Sequence, residues 1–115
     1  MFVKINKNIF KTKVLIDKKS QSIGMMGKTF DESFDALLFL LCGKSQSFWM
    51  KNCIIPLDII IIKNNTINKI HHDCLPCEEE PCPRFRGEGN IVLEIEGGLC
   101  DELEIEEGDF VEYIF

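Results

Sequence analysis

The chain has 115 residues, of which 45% are hydrophobic and 28% are charged. This length is enough for one domain to bury a core without relying on metals or disulfides, so we expect a single domain over residues 1–115. Its net charge of −6 argues against nucleic acid as a partner, because binding a phosphate backbone requires clustered Lys and Arg.

The charges are divided unevenly along the chain. Residues 1–72 contain eleven lysines and no arginine against five acidic residues, whereas residues 73–115 contain two arginines against fourteen acidic residues. In a small domain, this division favours pairing between the two halves at the surface over a basic ligand-binding face.

The first sixteen residues, MFVKINKNIFKTKVLI, carry Lys or Asn at short intervals, so we expect no signal peptide there. No stretch approaches the length of a membrane span. These features predict a cytoplasmic protein with no membrane partner. In a reducing compartment, closely spaced cysteines bind metal or stay as thiols more often than they form disulfides.

The N-terminal third predicts strands around one helix. Apolar residues alternate loosely over residues 2–16, which indicates one or two short strands. Residues 20–34 predict one short helix capped by Ser20 or Ser22, although two glycines weaken it. The apolar run over residues 35–41 is typical of a strand that is buried on both faces.

The middle of the chain centres on residues 48–62, FWMKNCIIPLDIIII, which follow a predicted polar turn over residues 43–47. Four consecutive isoleucines predict a buried strand, and Pro56 is expected at a bend or at the start of that strand because it lacks an amide donor. Residues 63–65, Lys-Asn-Asn, predict a tight turn into a second strand over residues 66–70, since Asn tolerates positive φ.

The C-terminal part begins with a Cys- and Pro-rich stretch over residues 71–90, which predicts a long loop. A strand is expected over residues 91–95, one helical turn over residues 99–103, and a last strand after the turn at residues 108–109. Together these elements predict a mostly β, or α+β, fold: a small antiparallel barrel-like domain of about seven strands with one or two short helices.

The stretch FWMKNCIIPLDIIII resembles the signature of the uncharacterised family known as domain of unknown function 192, or DUF192. Similar matches extend over IGMMGKTF, DALLFLL, VLEIEGG and IEEGDFV. The chain departs from the family at Gly27 and Lys28, where an Arg is common, and at Asp35 and Ala36, where a Gly-Met pair is common. The resemblance implies a compact β-rich fold of unknown activity, with no catalytic residues to assign.

One candidate site gathers polar groups attached to the most buried strands: Trp49, Lys51, Asn52, Asp58 and Glu94. They form an internal network if Asn52 and Asp58 satisfy backbone amides and Lys51 pairs with Asp58 or Glu94. They form a binding pocket if Trp49 supplies an apolar wall and Lys51 a cation. The ligand would then be a small anionic molecule or a protein segment.

A second candidate site is a zinc site in the cysteine loop, with Cys74, Cys77, Cys82 and His72 as the predicted ligands. The spacing Cys74-Leu-Pro-Cys77 suits two thiolates on one zinc ion, and a structural zinc would fasten a loop that has little apolar surface. Free or disulfide-bonded cysteines are the alternative, and redox catalysis is a third. The Cys-x-x-Cys motif does not open a helix, which is the setting that lowers a thiol pKa.

The sequence contains no nucleophile elbow, phosphate loop or evident pair of catalytic carboxylates, so no catalytic residue is predicted. The expected function is therefore that of a small ligand-binding or protein-binding accessory module, with zinc as a predicted cofactor in the cysteine loop. The alternative is a metal-dependent or thiol enzyme that uses the Cys and His residues of that loop.

Overall fold

The computed structural model describes all residues, 1–115, as nine strands and two short helices. In chain order these elements are β1 (Phe2–Ile5), β2 (Asn8–Leu15), α1 (Lys18–Ile23), β3 (Ala36–Leu40), β4 (Ser45–Phe48), β5 (Leu57–Lys63), β6 (Thr66–Cys74), β7 (Phe85–Glu88), β8 (Ile91–Glu96), α2 (Leu99–Glu102) and β9 (Val111–Ile114).

Seven strands form one curled sheet in the order β6-β5-β8-β3-β2-β1-β9, and β4 pairs with β7 in a separate two-stranded sheet. All neighbouring strands are antiparallel except β2 and β3, which are parallel. The two edge strands of the large sheet meet at one end, where the Ile67 N–H donates to the Asp109 carbonyl at 2.9 Å. The predicted fold class, mostly β with two short helices, is confirmed.

The three central strands β3, β5 and β8 bury both of their faces. Ile59 and Ile61 pack on one face with Met25 and Met50, while Ile60 and Ile62 pack on the other face. We call the first the α1 face, because α1 lies over it, and the second the α2 face, because Cys100 of α2 packs there. The isoleucine run is therefore a two-sided core strand, as predicted.

Several predicted elements are found close to their expected positions. The turn between β5 and β6 places Asn64 and Asn65 at φ +52° and +62°, the conformation for which asparagine was expected. The helical turn near residue 100 and the strand after Gly108-Asp109 are also present as α2 and β9.

Other predicted boundaries were wrong. Residues 45–48 form β4 rather than a turn, and the loop predicted over residues 71–90 is interrupted, because residues 71–74 complete β6 and residues 85–88 form β7. The sequences SQSF and FRGE lack an apolar alternation, so their mutual pairing was invisible in the sequence. Helix α1 has only six residues and ends at Gly24, where φ is +47°.

The uneven charges pair across the fold. Three lysines from the first part of the chain contact glutamates from the second part: Lys51 with Glu80 at 3.6 Å, Lys63 with Glu88 at 3.0 Å, and Lys69 with Glu107 at 3.9 Å. This is the surface complementarity that the charge division predicted. Neither of the two helices has the length and apolar character needed to cross a membrane.

Candidate ligand-binding pocket

A cavity of about 320 Å³ lies on the α1 face of the sheet. It is bounded by α1 and the turn after it, by strands β3 and β8, and by the chain from β4 to Cys53. Half of its sixteen lining residues are hydrophobic. The lining comprises Lys18, Gln21, Ser22, Ile23, Gly24, Met25, Met26, Phe39, Leu41, Gln46, Ser47, Phe48, Trp49, Lys51, Cys53 and Glu94.

Glu94 forms the floor of this cavity. It lies on β8, opposite Leu37 of β3 and Ile59 of β5, and strand alternation directs its side chain to the α1 face while Leu93 and Ile95 pack on the other. Only 4% of the residue is exposed, and no protein group donates a hydrogen bond or forms an ion pair with its carboxyl group. Burial raises the pKa of Glu94 to about 8, so this carboxyl group is mostly protonated at neutral pH.

Aromatic side chains make the walls of the cavity. The rings of Phe39 and Phe48 meet edge to face, with 4.9 Å between their centroids. Trp49 extends the wall, and the Arg84 guanidinium lies 4.2 Å from the centroid of its ring, so one face of the indole is covered. The polar floor is thus set in a largely apolar enclosure, where a hydrogen bond or charge contact is stronger than in water.

Two lysines lie at the mouth. Lys18 is an exposed residue of α1, and the side chain of Lys51 is 22% exposed and contacts Glu80 at 3.6 Å. Because Glu80 is itself largely exposed, the contact between Lys51 and Glu80 is a weak surface ion pair that a ligand can displace. The mouth is therefore positively charged above an uncharged floor.

Backbone hydrogen bonds connect Cys77 of the cysteine loop to the Trp49–Asn52 segment. The Asn52 N–H donates to the Cys77 carbonyl at 2.9 Å, and the Cys77 N–H donates to the Met50 carbonyl at 3.1 Å. A disulfide between Cys77 and Cys82 closes the loop on itself. The backbone that carries Trp49 and Lys51 is thereby fixed to a second segment of the chain.

The five residues predicted as one polar site are not all together. The cavity brings together Trp49, Lys51 and Glu94, but Asn52 and Asp58 lie outside it. Asn52 occupies a turn at φ +59°, where its carbonyl accepts from the Gly27 N–H at 2.9 Å.

Asp58 faces the other side of the sheet and is fully buried. Its carboxylate accepts backbone N–H groups from Asp73 at 2.7 Å, Gly98 at 3.0 Å and Cys100 at 2.8 Å. Asp58 therefore belongs to an internal hydrogen-bond network, which was one of the two predicted alternatives. Lys51 takes Glu80 as its partner instead of the expected Asp58 or Glu94.

The four residues predicted to bind zinc do not converge. Cys77 and Cys82 are joined as a disulfide, and the buried Cys74 thiol donates to the His71 carbonyl at 3.4 Å. His72 lies 3.5 Å from Asp101. No group of three or more His, Cys, Asp or Glu residues is placed to hold a metal ion, so these residues do not fit the predicted site. The reason is that β6 continues to Cys74 and buries its side chain in the core.

The buried thiols are poor nucleophiles. Burial, with a smaller contribution from the nearby Glu94 carboxyl, raises the pKa of Cys53 to about 11, and burial raises the pKa of Cys74 to about 12. At neutral pH both are therefore almost entirely in the unreactive thiol form. Cys53 lines the cavity as a small apolar group.

Most of the residues that line the cavity were not predicted from the sequence. Phe39, Phe48 and Met25 resemble ordinary core residues in the sequence, and nothing local shows that they border a space. Lys18 and Gln21 become lining residues because α1 crosses the sheet at that point. Glu94 carried a usable signal, since it is a charged residue at an inward position within the alternating strand VLEIE.

Comparison with known proteins identifies relatives but no activity. A sequence model of DUF192, described as an uncharacterized ACR, matches residues 1–113. A protein of unknown function from Novosphingobium aromaticivorans has a similar structure, with a TM-score of 0.86, 29% identity, and coverage of 97% of this chain and 84% of that one. No functionally curated protein matches.

A second solved structure is similar in fold. It is a protein from Sinorhizobium meliloti that carries the provisional description of transcription regulator, with a TM-score of 0.83, 24% identity, and coverage of 96% of this chain and 91% of that one. At this identity the likeness concerns the fold alone.

Proposed function

This chain belongs to the DUF192 family, and we propose that it is a binding protein for a small organic molecule held in the pocket above Glu94. The molecule has an apolar body that lies between the aromatic walls and an anionic group that meets Lys51 and Lys18 at the mouth. The observation that carries this proposal is the buried Glu94 carboxyl group, which borders a cavity and has no protein partner.

A carboxyl group at this position is costly to the fold. Moving it from water into largely apolar surroundings carries a desolvation cost, which is also what raises its pKa. An apolar residue at position 94 would remove this cost and continue the packing of Val92 on the same face. The presence of a glutamate there supports a role in which a bound molecule supplies the missing partner.

The size and lining of the cavity support a small molecule as the occupant. A volume of about 320 Å³ is at the lower end of the range found for ligand pockets, and the mixture of aromatic walls with a few convergent polar groups is typical of such sites. A protein segment would have to enter through a single terminal residue or side chain, so we favour a free small molecule over the protein segment.

The charge at the mouth supports an anionic group on the ligand. Lys18 and Lys51 line the cavity, and Glu94 is its one acidic lining residue. Because Glu94 is mostly protonated at pH 7, the lysines dominate the field at the entrance. No observation favours the thiol-enzyme alternative to the same degree, since the pKa of Cys53 is raised and not lowered.

The test uses the intrinsic fluorescence of Trp49, which is the only tryptophan in the chain and lies in the cavity wall. Straight-chain alkanoates from pentanoate to nonanoate serve as probes, because each combines an anionic group with an apolar body. We expect a saturable change in emission at pH 7 with Kd values on the order of 1 mM, the affinity that ligands of this size usually reach.

A matched pair of lysine variants locates the binding. Lys51→Ala should weaken the best alkanoate by about tenfold, equivalent to the loss of one charge contact of about 1.4 kcal/mol. Lys63→Ala removes another lysine that pairs with a glutamate at the surface but does not line this cavity, so it should leave the affinity unchanged. Thermal melting establishes that both variants fold. If both variants behave alike, or if the wild type binds neither these alkanoates nor their amino-terminated counterparts, the proposal is wrong.

A further inference from the structure

From the arrangement of charges along the depth of the pocket, we propose that its ligand is a zwitterion with a cationic amine at the inner end and a carboxylate at the outer end. This inference rests on the proposed function and specifies its ligand class. The amine pairs with the Glu94 carboxylate at the floor, and the carboxylate of the ligand pairs with Lys51 at the mouth.

The burial of the three charged lining residues gives the order of charges. Glu94 is 4% exposed and lies on the sheet, the Lys51 side chain is 22% exposed, and Lys18 is an exposed residue of α1. A molecule that enters this cavity therefore passes two ammonium groups before it reaches a carboxyl group. The complementary molecule carries its negative charge outside and its positive charge inside.

The floor is suited to a cation in a second way. Glu94 has no competing partner inside the protein, so a ligand ammonium could form the full set of charge-assisted hydrogen bonds with it. The neighbouring aromatic rings of Phe39 and Phe48, whose centroids are 4.9 Å apart, lie in the same wall, and the face of such a ring is electron-rich. A buried carboxylate beside aromatic rings is an environment that favours an ammonium over a neutral apolar end.

The apolar lining of the cavity favours a spacer between the two charges of the ligand. Met25, Phe48 and Trp49 line the cavity together with Glu94 and Lys51. An α-amino acid places its two charges on adjacent carbons, so it has no apolar part between them to lie against these walls. An amine and a carboxylate separated by several methylene groups can contact both ends while the methylene groups lie against the walls.

Binding of an amine should be linked to the release of a proton. The pKa of Glu94 is raised to about 8 by burial, so at pH 7 the free pocket contains a protonated carboxyl group, which must ionise to pair with an ammonium. The other titratable groups around it are Lys18 on α1, Lys51 and Cys53 on the segment before β5, and Cys74 on β6. The thiol pKa values of about 11 and 12 lie above the working range.

The experiment compares two series of probes on the full chain by isothermal titration calorimetry. The first series runs from 4-aminobutanoate to 8-aminooctanoate, and the second consists of the alkanoates from pentanoate to nonanoate, in which a methyl group replaces the amine. At pH 7 we expect at least one amino acid to bind tenfold or more tightly than its matched alkanoate. Titrations in phosphate and in Tris should show close to one proton released per amino acid bound and none per alkanoate.

The pH dependence is a test that needs no variant. The amine of the probes keeps its proton throughout this range. The affinity for the best amino acid should rise by roughly tenfold per pH unit below the Glu94 pKa of about 8 and level off above it. The affinity for the matched alkanoate should not rise.

Glu94→Gln then assigns the effect to the floor. This variant keeps the shape of the side chain but cannot ionise, so it should bind alkanoates, lose the preference for the amino acids and release no proton. If wild-type protein binds alkanoates as tightly as amino acids at every chain length, or binds amino acids without proton release, the inference is overturned while the proposed function stands. If neither series binds, the proposed function fails as well.

Discussion

Asp58 and Glu94 are both buried carboxyl residues on neighbouring strands of the same sheet, yet their surroundings differ completely. Asp58 faces the α2 side and accepts three backbone N–H groups at 2.7, 3.0 and 2.8 Å. Glu94 faces the α1 side, borders a cavity and has no protein partner. Both residues are almost completely buried, at 0% and 4% exposed, so burial alone does not distinguish a structural carboxyl group from one available to a ligand.

The difference lies in what the fold supplies to each carboxyl group. The three donors to Asp58 come from the end of β6 and the start of α2, so the carboxylate joins three segments that are distant in sequence. The cavity that Glu94 borders is lined by apolar and polar side chains, and none of the polar ones donates a hydrogen bond to its carboxyl group. A satisfied buried carboxylate stabilises the chain, whereas an unsatisfied one beside a cavity is a candidate for binding.

The largest effect should come from Asp58→Ala. This change leaves one buried and two partly buried N–H groups without an acceptor, and we expect the free energy of unfolding to fall by about 3–5 kcal/mol in urea titrations. Asp101→Ala is the control, since that carboxylate is exposed and should change the stability by less than 1 kcal/mol. Equal losses in the two variants would remove the structural role assigned to Asp58.

Glu94→Gln should have a smaller effect that depends on pH. The folded-state pKa of Glu94 is raised to about 8 from 4.5, so the folded protein holds a proton that the unfolded chain releases. The stability of the wild type should therefore be highest below pH 4.5 as far as this group is concerned, fall as the pH rises towards 8, and level off above that. The Gln variant, which cannot ionise, should lack this decline and be the more stable protein at pH 8.5.

The control for that comparison is Glu96→Gln, which removes an exposed glutamate two residues further along the same strand. Thermal melting temperatures between pH 5 and 9 give the slopes of all three proteins. The Glu96 variant should follow the wild type. A Glu94 variant that runs parallel to the wild type across this range would show that Glu94 is not protonated in the folded protein.

The smallest effect is expected for Tyr113→Phe on β9. The Tyr113 hydroxyl is a buried polar group without a hydrogen-bond partner, and burial raises its pKa to about 12. Because only an unpaired hydroxyl is removed, the free energy of unfolding should stay the same or increase by up to about 1 kcal/mol in urea titrations. A loss of 1 kcal/mol or more would mean that this hydroxyl has a hydrogen-bond partner in solution. The absence of a protein partner would then be weaker support for a binding role of Glu94.

Much of this architecture could be predicted from the sequence, since it depends on local patterns. The isoleucines of β5, the Asn64-Asn65 turn and the closing strand follow from burial periodicity and turn chemistry. The partners of Asp58 and Glu94 could not be predicted, because they are set by strand order. Asp58 lies beside donors at residues 73, 98 and 100, and no local signal links those positions.

Part of the candidate site could also be predicted from local sequence patterns. Trp49, Lys51 and Glu94 were named because they are polar or amphipathic residues attached to core strands, and the pocket brings these three together. Cysteine spacing was a poorer guide. Cys74 and Cys77 are close in sequence, but Cys74 ends β6 as a free buried thiol, whereas Cys77 forms the disulfide with Cys82.

The single parallel strand pair has a consequence for the origin of the pocket. Antiparallel neighbours can be joined by a tight turn, but two parallel strands require a connection that returns over one face of the sheet. Here the connection between β2 and β3 contains α1, which lies above Phe39 and closes one side of the cavity. The position of the cavity is thus a product of chain connectivity, whereas its selectivity depends on a few side chains. Evolution could therefore exchange the ligand by changing Glu94 or Lys51 while the enclosure itself persists.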